Sequence, residues 1–476
     1  MDLIKSINDM INSVVWGVPM LILIIGTGIY FSVRLGFFQI FRFKHVLNST
    51  IFCSFKKENK KDKNKKSLSQ FQAMSTALAA TIGTGNIAGV ASALAIGGAG
   101  AVFWMWMSAF FGMMTSFAEN VLGVYYRKKN EKGEWSGGAM YFISEGFKNK
   151  KLGKILSVLF AVFCVLASFG IGNMSQVNSI AASLENSFNI PPLAVGIVLA
   201  VIVGFILIGG VKRIGAVAEK VVPFMAVLYI ILTLSVVIIN FRAIPSVFSE
   251  IFKGAFGFDA VAGGISGTLI KNAMTLGFKR GVFSNEAGLG SGVIVNSTSD
   301  AKEPVVQGMW GIFEVFFDTI VICTLTAFTV LSTGVLSFSD ADGAALVSEA
   351  FGQVFTSSAG AIVAVSITLF AFTTVLGWSF YGEKCLEYLF GNKVTIVYKI
   401  IFSLMLIAGA TMNLSLAWEI SDTLNALMAI PNLIGVLALS GKVIKITRNY
   451  IDRKFKNKKV EPMLSAHAEI QFEMEE

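Results

Sequence analysis

Charge is what this chain has least of. Asp, Glu, Lys and Arg make up 14% of its 476 residues, against about 25% in a soluble globular protein. So few charges do not cover a surface of this size in water, which excludes a soluble globular fold and points to a bilayer. Histidine is nearly absent as well. His45 and His467 are the two present, and both fall outside the apolar runs, so a histidine proton relay or a histidine metal site is excluded. The four cysteines, Cys53, Cys164, Cys323 and Cys385, are too few for a disulfide scaffold, and their positions in a loop and in or beside apolar runs put none in an expected disulfide. The N-terminus lacks a basic n-region and a small-residue cleavage site, so its first apolar run reads as a retained helix, not a signal peptide.

Hydrophobic residues make up 54% of the chain, with mean hydropathy +0.69, 46 glycines and 41 phenylalanines. This composition excludes disorder and suits membrane helices, which use glycine for close packing. Runs of about 20 apolar residues, the length that spans a bilayer, recur eleven times. They lie near residues 12–33, 70–95, 99–126, 155–181, 193–210, 220–240, 263–297, 308–335, 357–383, 395–413 and 418–441. The net charge of +9 is a topology signal, not a nucleic-acid footprint. With loop 34–69 cytoplasmic, 33 of the 39 Lys and Arg residues fall on that side, as the positive-inside rule requires. An odd number of spans then puts the N-terminus outside and the C-terminal tail in the cytoplasm. The lysines from Lys56 to Lys66 could contact lipid headgroups, but the favoured reading is a solvated topology anchor, since such loops are ordinary.

Two runs are not continuous apolar helices. The second carries Ala79-Ala80-Thr81-Ile82-Gly83-Thr84-Gly85-Asn86-Ile87-Ala88-Gly89, and the seventh carries Gly281-Val282-Phe283-Ser284-Asn285-Glu286-Ala287-Gly288-Leu289-Gly290-Ser291. With the first run set aside as an extra helix, these become the first and sixth of ten, at matching positions of two five-helix halves. Breaks so placed point to the binding site of a secondary transporter. An interrupted helix leaves N–H and C=O groups unpaired, at several kcal/mol each, unless a ligand satisfies them. The half-helix after Gly85 offers N–H donors and a positive dipole end to a carboxylate, and the carbonyls before it suit Na⁺. Single glycine pairs more often serve helix packing, but two matched breaks with Asn86, Asn285 and Glu286 favour a site. The G-x-G-x-x-A string from Gly83 to Ala88 matches a dinucleotide fingerprint, yet it follows no strand and carries no such role.

At these residues the chain resembles the alanine or glycine:cation symporters, also called sodium:alanine symporters. The strings that carry the resemblance run from Gly83 to Val90, from Gly97 to Trp106 and from Phe283 to Ser291, and the likeness covers residues 10–442. Ala99 departs from the proline usual in the family. The resemblance implies a LeuT-type fold: an all-α membrane protein of about eleven helices, with an extra N-terminal helix before a 5+5 inverted repeat. The expected parts are the extra helix (1–33), a basic cytoplasmic loop (34–69), the two halves (70–262 and 263–441) and a cytoplasmic tail (442–476). It further implies Na⁺-driven import of alanine or glycine by a monomeric multi-pass carrier in a prokaryotic plasma membrane. The partners are then a small neutral amino acid, Na⁺ and the lipid bilayer, with no nucleic acid and no cofactor beyond the coupling ion.

The resemblance also assigns residues. Thr84 and Gly85 take the substrate carboxylate, Gln176 gives a polar contact, and Phe283 and Trp378 form apolar walls. The carbonyls of Ala79 and Ile82 meet the hydroxyls of Thr373 and Thr374 around Na⁺. Each has a plainer reading: the threonines back-bond within their own helix, Gln176 joins helices, and the two aromatics pack. Four acids, Glu119, Glu286, Glu314 and Asp318, also lie in apolar runs, where acids are functional candidates by default. Glu314 and Asp318 share a helical face, with Glu314 expected closer to water and Asp318 deeper. Asp318 or Glu286 as a proton carrier gives the competing reading, a proton-coupled carrier. Lys271, Lys279 and Arg280 are expected to line the outer approach or to pair with these acids. A channel would need filter loops and oligomeric symmetry. An intramembrane hydrolase would need a nucleophile–base pair or a metal triad. The chain offers neither, and an enzyme is not expected.

Overall fold

The computed structural model describes residues 2–56, 67–257, 265–412 and 415–475. Lys57, Lys60, Lys61, Lys63, Lys65 and Lys66 of the basic loop lie outside the described residues. Helix dominates. Among the described residues, seven helices are long and apolar enough to cross a membrane, and up to nine if each of two bent pairs is one span. Among the remaining runs, Pro192–Ile208 is an apolar helix of 17 residues, and 263–297 appears as Ile265–Asn285 followed by Gly292–Asn296.

The outward faces are apolar. Val201, Phe205 and Ile208 of Pro192–Ile208 are 68%, 67% and 73% exposed, a surface that lipid covers and water would not. Buried on the other faces are two apolar clusters; Ile82 and Ile87 of the first break belong to one, and Phe283, Ala287 and Leu289 of the second break belong to the other. Pro223 sits inside Gly210–Ile239 and Pro431 inside Ser415–Ala438, as membrane helices tolerate when neighbours satisfy the freed groups.

Local chemistry sets the ends that matter. Ser69 starts the first broken helix with a capping box: its hydroxyl accepts the Gln72 N–H at 3.1 Å, and Gln72 Oε1 accepts the Ser69 N–H at 3.2 Å. The helix Gln70–Thr81 then stops at Ile82, whose backbone is extended, and resumes as a π-helical turn Gly85–Gly89 and a helix Val90–Gly97 bent by 53°. The second break follows Asn285, where Glu286, Gly288 and Gly290 take φ of 55°, 92° and 77°. Left-handed backbone is natural for the two glycines and strained for Glu286.

Two more π-helical turns interrupt long helices. Gly170–Met174 joins Lys150–Phe169 to Ser175–Phe188, and Phe316–Cys323 joins Pro304–Val315 to Thr324–Ser332. Such turns widen the helix and turn side chains and carbonyls out of register, and they concentrate at functional sites.

One end of the molecule is tied shut. Leu68, just before the first broken helix, donates its N–H to Thr298 O at 3.2 Å and accepts from Asp300 N–H at 2.8 Å, which joins it to the chain just after the second break. Arg127, fully buried, donates to the carbonyls of Ser297, Ser299 and Ala301 at 3.2, 2.7 and 2.6 Å. Its guanidinium stacks 4.2 Å from the Trp135 ring in the short antiparallel hairpin Lys128–Lys129 with Trp135–Ser136.

Candidate functional site at the two helix breaks

The first break turns its own polar groups inward. A continuing helix would bond the Gly83 N–H to Ala79 O. Instead that N–H donates to Asn86 Oδ1 at 2.9 Å, and the Asn86 N–H returns to Gly83 O at 3.2 Å. The Ala79 carbonyl is thereby released from the ladder. Thr84 offers two donors, its N–H and its hydroxyl, and both reach Gln176 Oε1 at 3.4 and 3.2 Å. Gln176 is fixed from behind, since its Nε2 donates to Ile171 O at 3.0 Å within the π-helical turn region.

Gly83 admits no side chain. A Cβ there would lie 2.5 Å from Thr374 Oγ1 and 3.4 Å from Gln176 Oε1. At Gly85 the nearest atom to a Cβ is in the Phe283 ring, at 3.4 Å. Thr84, Gly85, Gln176, Phe283, Ile82 and Thr374 are therefore brought together. The Thr374 hydroxyl lies 3.4 Å from Ile82 O and 3.1 Å from Phe370 O.

Two of the expected residues stand differently. The Thr373 hydroxyl donates to Phe370 O at 2.9 Å and to Met225 Sδ at 3.4 Å, the back-bonded arrangement common for buried threonine. Trp378 packs over Gly172, where no Cβ fits beneath it, and its indole N–H donates to Glu286 Oε1 at 2.9 Å. Its recorded polar contact is with the second break, not with Thr84 or Gly85.

The acids do related work. Asp318, fully buried in the π-helical turn Phe316–Cys323, accepts Asn86 Nδ2 at 2.6 Å on one oxygen, and Ser284 Oγ at 2.7 Å and Thr319 Oγ1 at 2.8 Å on the other. It thus ties the first break to the second. Asn285 Nδ2 adds a bond to Thr319 Oγ1 at 3.1 Å. Glu286 accepts Trp378 and Ser291 Oγ, the latter at 2.5 Å, and Glu119 accepts Asn432 Nδ2 at 2.5 Å beside the backbone of Gly288 and Gly290. Buried carboxylates so bonded hold strained backbone in place.

Packing corrects the expectation for Glu314 and gives Lys279 another partner. Glu314, expected near water, is 6% exposed and accepts Asn296 Nδ2 at 3.0 Å. Lys279 pairs with Asp422 of the run 418–441 at 2.5 Å, not with Glu119, Glu286, Glu314 or Asp318, and stands 5.4 Å from the Trp16 ring. The sequence reading missed the joining role of Asn86, Ser284 and Thr319 and the cradle role of Gly83. Asn86 and Gly83 were visible as polar and small residues within the broken run, but their partners lie some 230 and 290 residues away and no local pattern names them.

Comparison with known proteins places the chain in a family. A family model described as the sodium:alanine symporter family matches residues 1–464. The sodium/alanine symporter AgcS of Methanococcus maripaludis is 46% identical over 453 residues, covering 94% of this chain and 98% of that protein. The probable sodium/glutamine symporter GlnT of Bacillus subtilis is 36% identical, covering 95% of this chain and 92% of its own length. A crystal structure of the Eremococcus coleocola manganese transporter superposes with a TM-score of 0.51 at 11% identity, over 85% of this chain and 83% of that one. At that identity the likeness concerns the fold alone. The match over nearly the whole length, together with apolar helices broken at two sites, makes this chain a multi-pass transporter that couples amino-acid movement to a cation, and it belongs to the sodium:alanine symporter family.

Proposed function

We propose that this protein imports alanine or glycine across a prokaryotic plasma membrane, driven by Na⁺, by alternating access. The carrying observation is the meeting of donors and acceptors at the first break: Thr84 and its N–H beside Gln176, and Thr374 beside Ile82 O. Gln176 Oε1 occupies the two donors that a substrate carboxylate would take, so the amide acts as a placeholder that gives way on binding. Na⁺ takes the carbonyls of Ala79 and Ile82 with the Thr374 hydroxyl, which already lies near Ile82 O, and Thr373 joins only by turning away from Phe370 O and Met225 Sδ. Phe283, beside Gly85, limits the side chain to a small group. Trp378 acts through Glu286, by holding the second break.

The reading includes eleven spans in a LeuT-type arrangement, the N-terminus outside, the C-terminal tail in the cytoplasm and a monomeric carrier. Supporting it are the 33 basic residues on one side and the matched breaks. The Leu68 bridge and the Arg127 clamp then lie on the cytoplasmic side, and the described conformation is closed there. Alternating access would part these contacts, and ion and substrate together offset the cost of the unwound segments.

Equilibrium binding of labelled alanine and glycine to the purified protein tests the site. Binding that requires Na⁺ and disappears in Gly85→Val supports it; Na⁺-independent binding, or normal binding by that variant, removes the first break as the site. Proton coupling is the second reading, favoured by one observation: Asp318 is a fully buried carboxylate between the two breaks with no cationic partner among the described residues.

A further inference from the structure

A cavity of about 460 Å³, lined by no residue of either break, lies between the end of the helix Val18–Arg34 and the helix Ser440–Phe455. Its lining includes Arg34, Lys445, Arg448, Asp452, Val460 and Met463. The helix Ser440–Phe455 buries Val443, Ile444, Ile446, Thr447 and Tyr450 on one face and leaves Lys445 and Arg448 exposed on the other. Arg34, also exposed, closes the third side.

The charge balance of this cavity is one-sided. Among the described residues, Arg34, Lys445 and Arg448 have neither an ion-pair nor a hydrogen-bond partner; Arg34 has only the Tyr30 ring, 6.0 Å away. The one acid, Asp452, is already held by Lys456 at 2.9 Å and Lys458 at 3.0 Å. Asn449 is likewise engaged, donating to Glu461 O and accepting from Arg453. Three exposed cations without an acid partner on one concave surface raise the local positive potential, which draws an anion there. The volume falls in the range of small-ligand sites.

We propose that this cavity binds a phosphate group, as carried by an anionic phospholipid headgroup or by a soluble phosphate compound. Arg34 and Arg448 supply the forked donors that suit phosphate oxygens, and Lys445 adds a point charge. Because Val460 and Met463 belong to the C-terminal tail, a bound phosphate also fixes that tail against the helix Ser440–Phe455.

The test uses the full-length protein, delipidated in a neutral detergent. Its thermal unfolding is followed by tryptophan fluorescence while phosphatidylglycerol, phosphatidylcholine, glycerol phosphate or inorganic phosphate is titrated in. A saturable rise in Tm with phosphatidylglycerol alone assigns the site to a lipid headgroup. A rise with glycerol phosphate or inorganic phosphate assigns it to a soluble source. In the triple variant Arg34→Gln, Lys445→Gln, Arg448→Gln the apparent affinity is expected to fall roughly 100-fold, about fivefold per cation. A second variant, Lys150→Gln with Lys151→Gln, alters exposed lysines elsewhere and is expected to bind normally. Equal response of the triple variant and the wild type, a shift with phosphatidylcholine matching that with phosphatidylglycerol, or no shift with any of the four overturns the proposal.

Discussion

Asn86 Nδ2 stands 2.6 Å from Asp318 Oδ1, and this bond joins the first helix break to a π-helical turn 232 residues further along the chain. Ser284, from the second broken helix, reaches the other oxygen of the same carboxylate at 2.7 Å. One side chain therefore holds both breaks in register. A buried carboxylate oxygen that loses its partner costs about 1–3 kcal/mol or more. Asn86→Ala is expected to lower Tm by several degrees and to abolish uptake, and an unchanged Tm would mean that the tie carries no stability.

Asp318→Asn separates the tie from proton carriage. The amide keeps the shape but does not titrate, so a Na⁺-driven carrier retains concentrative uptake at a reduced rate, with a pH profile like that of the wild type. Complete loss of uptake together with loss of its pH dependence would assign proton carriage to Asp318.

The two threonines are expected to differ. Both hydroxyls reach Phe370 O, but Thr374 Oγ1 also lies 3.4 Å from Ile82 O, whereas the second contact of Thr373 is Met225 Sδ. Thr374→Ala should raise the Na⁺ concentration for half-maximal uptake by roughly tenfold, the effect of one lost ligand bond, and Thr374→Ser should restore it. Thr373→Ala should shift it less. Equal shifts in the two alanine variants would place both hydroxyls on the ion.

Gly83 and Gly85 give a steric ladder. Gly83→Ala places a Cβ 2.5 Å from Thr374 Oγ1 and should abolish binding, while Gly85→Ala, at 3.4 Å from the Phe283 ring, should bind alanine several-fold more weakly. The reverse order in an equilibrium binding assay would show that the close approach lies at Gly85.

Phe283→Ala removes the ring that faces Gly85. Alanine binding is expected to weaken roughly tenfold while larger neutral amino acids begin to compete, and competition by leucine in the variant but not in the wild type checks this. Unaltered selectivity would remove Phe283 from the pocket wall.

Much of the site could be read in the sequence because its signals are local. Glycine and polar residues at 79–89 and 281–291 interrupt apolar runs, and no packing argument erases them. Thr84, Gly85, Gln176, Phe283 and Thr374 do meet. The π-helical turns left no such mark, because Phe316–Cys323 is as apolar as an ordinary helix apart from Asp318 and Thr319. Glu314 looked close to water by its position in the run, but Asn296 comes from the far side of the second break to cover it. The Lys279–Asp422 pair spans 143 positions and depends on how the helices pack, which periodicity does not report.

The most direct test of the account is uptake of labelled alanine and glycine into proteoliposomes under an imposed Na⁺ gradient, with K⁺ and pH gradients as controls. The account predicts concentrative uptake that requires Na⁺, is lost in Gly83→Ala and persists without a pH gradient. Accumulation driven by the pH gradient alone would contradict it, leaving the fold in place and moving the coupling ion from the Ile82 and Thr374 oxygens to the Asp318 carboxylate.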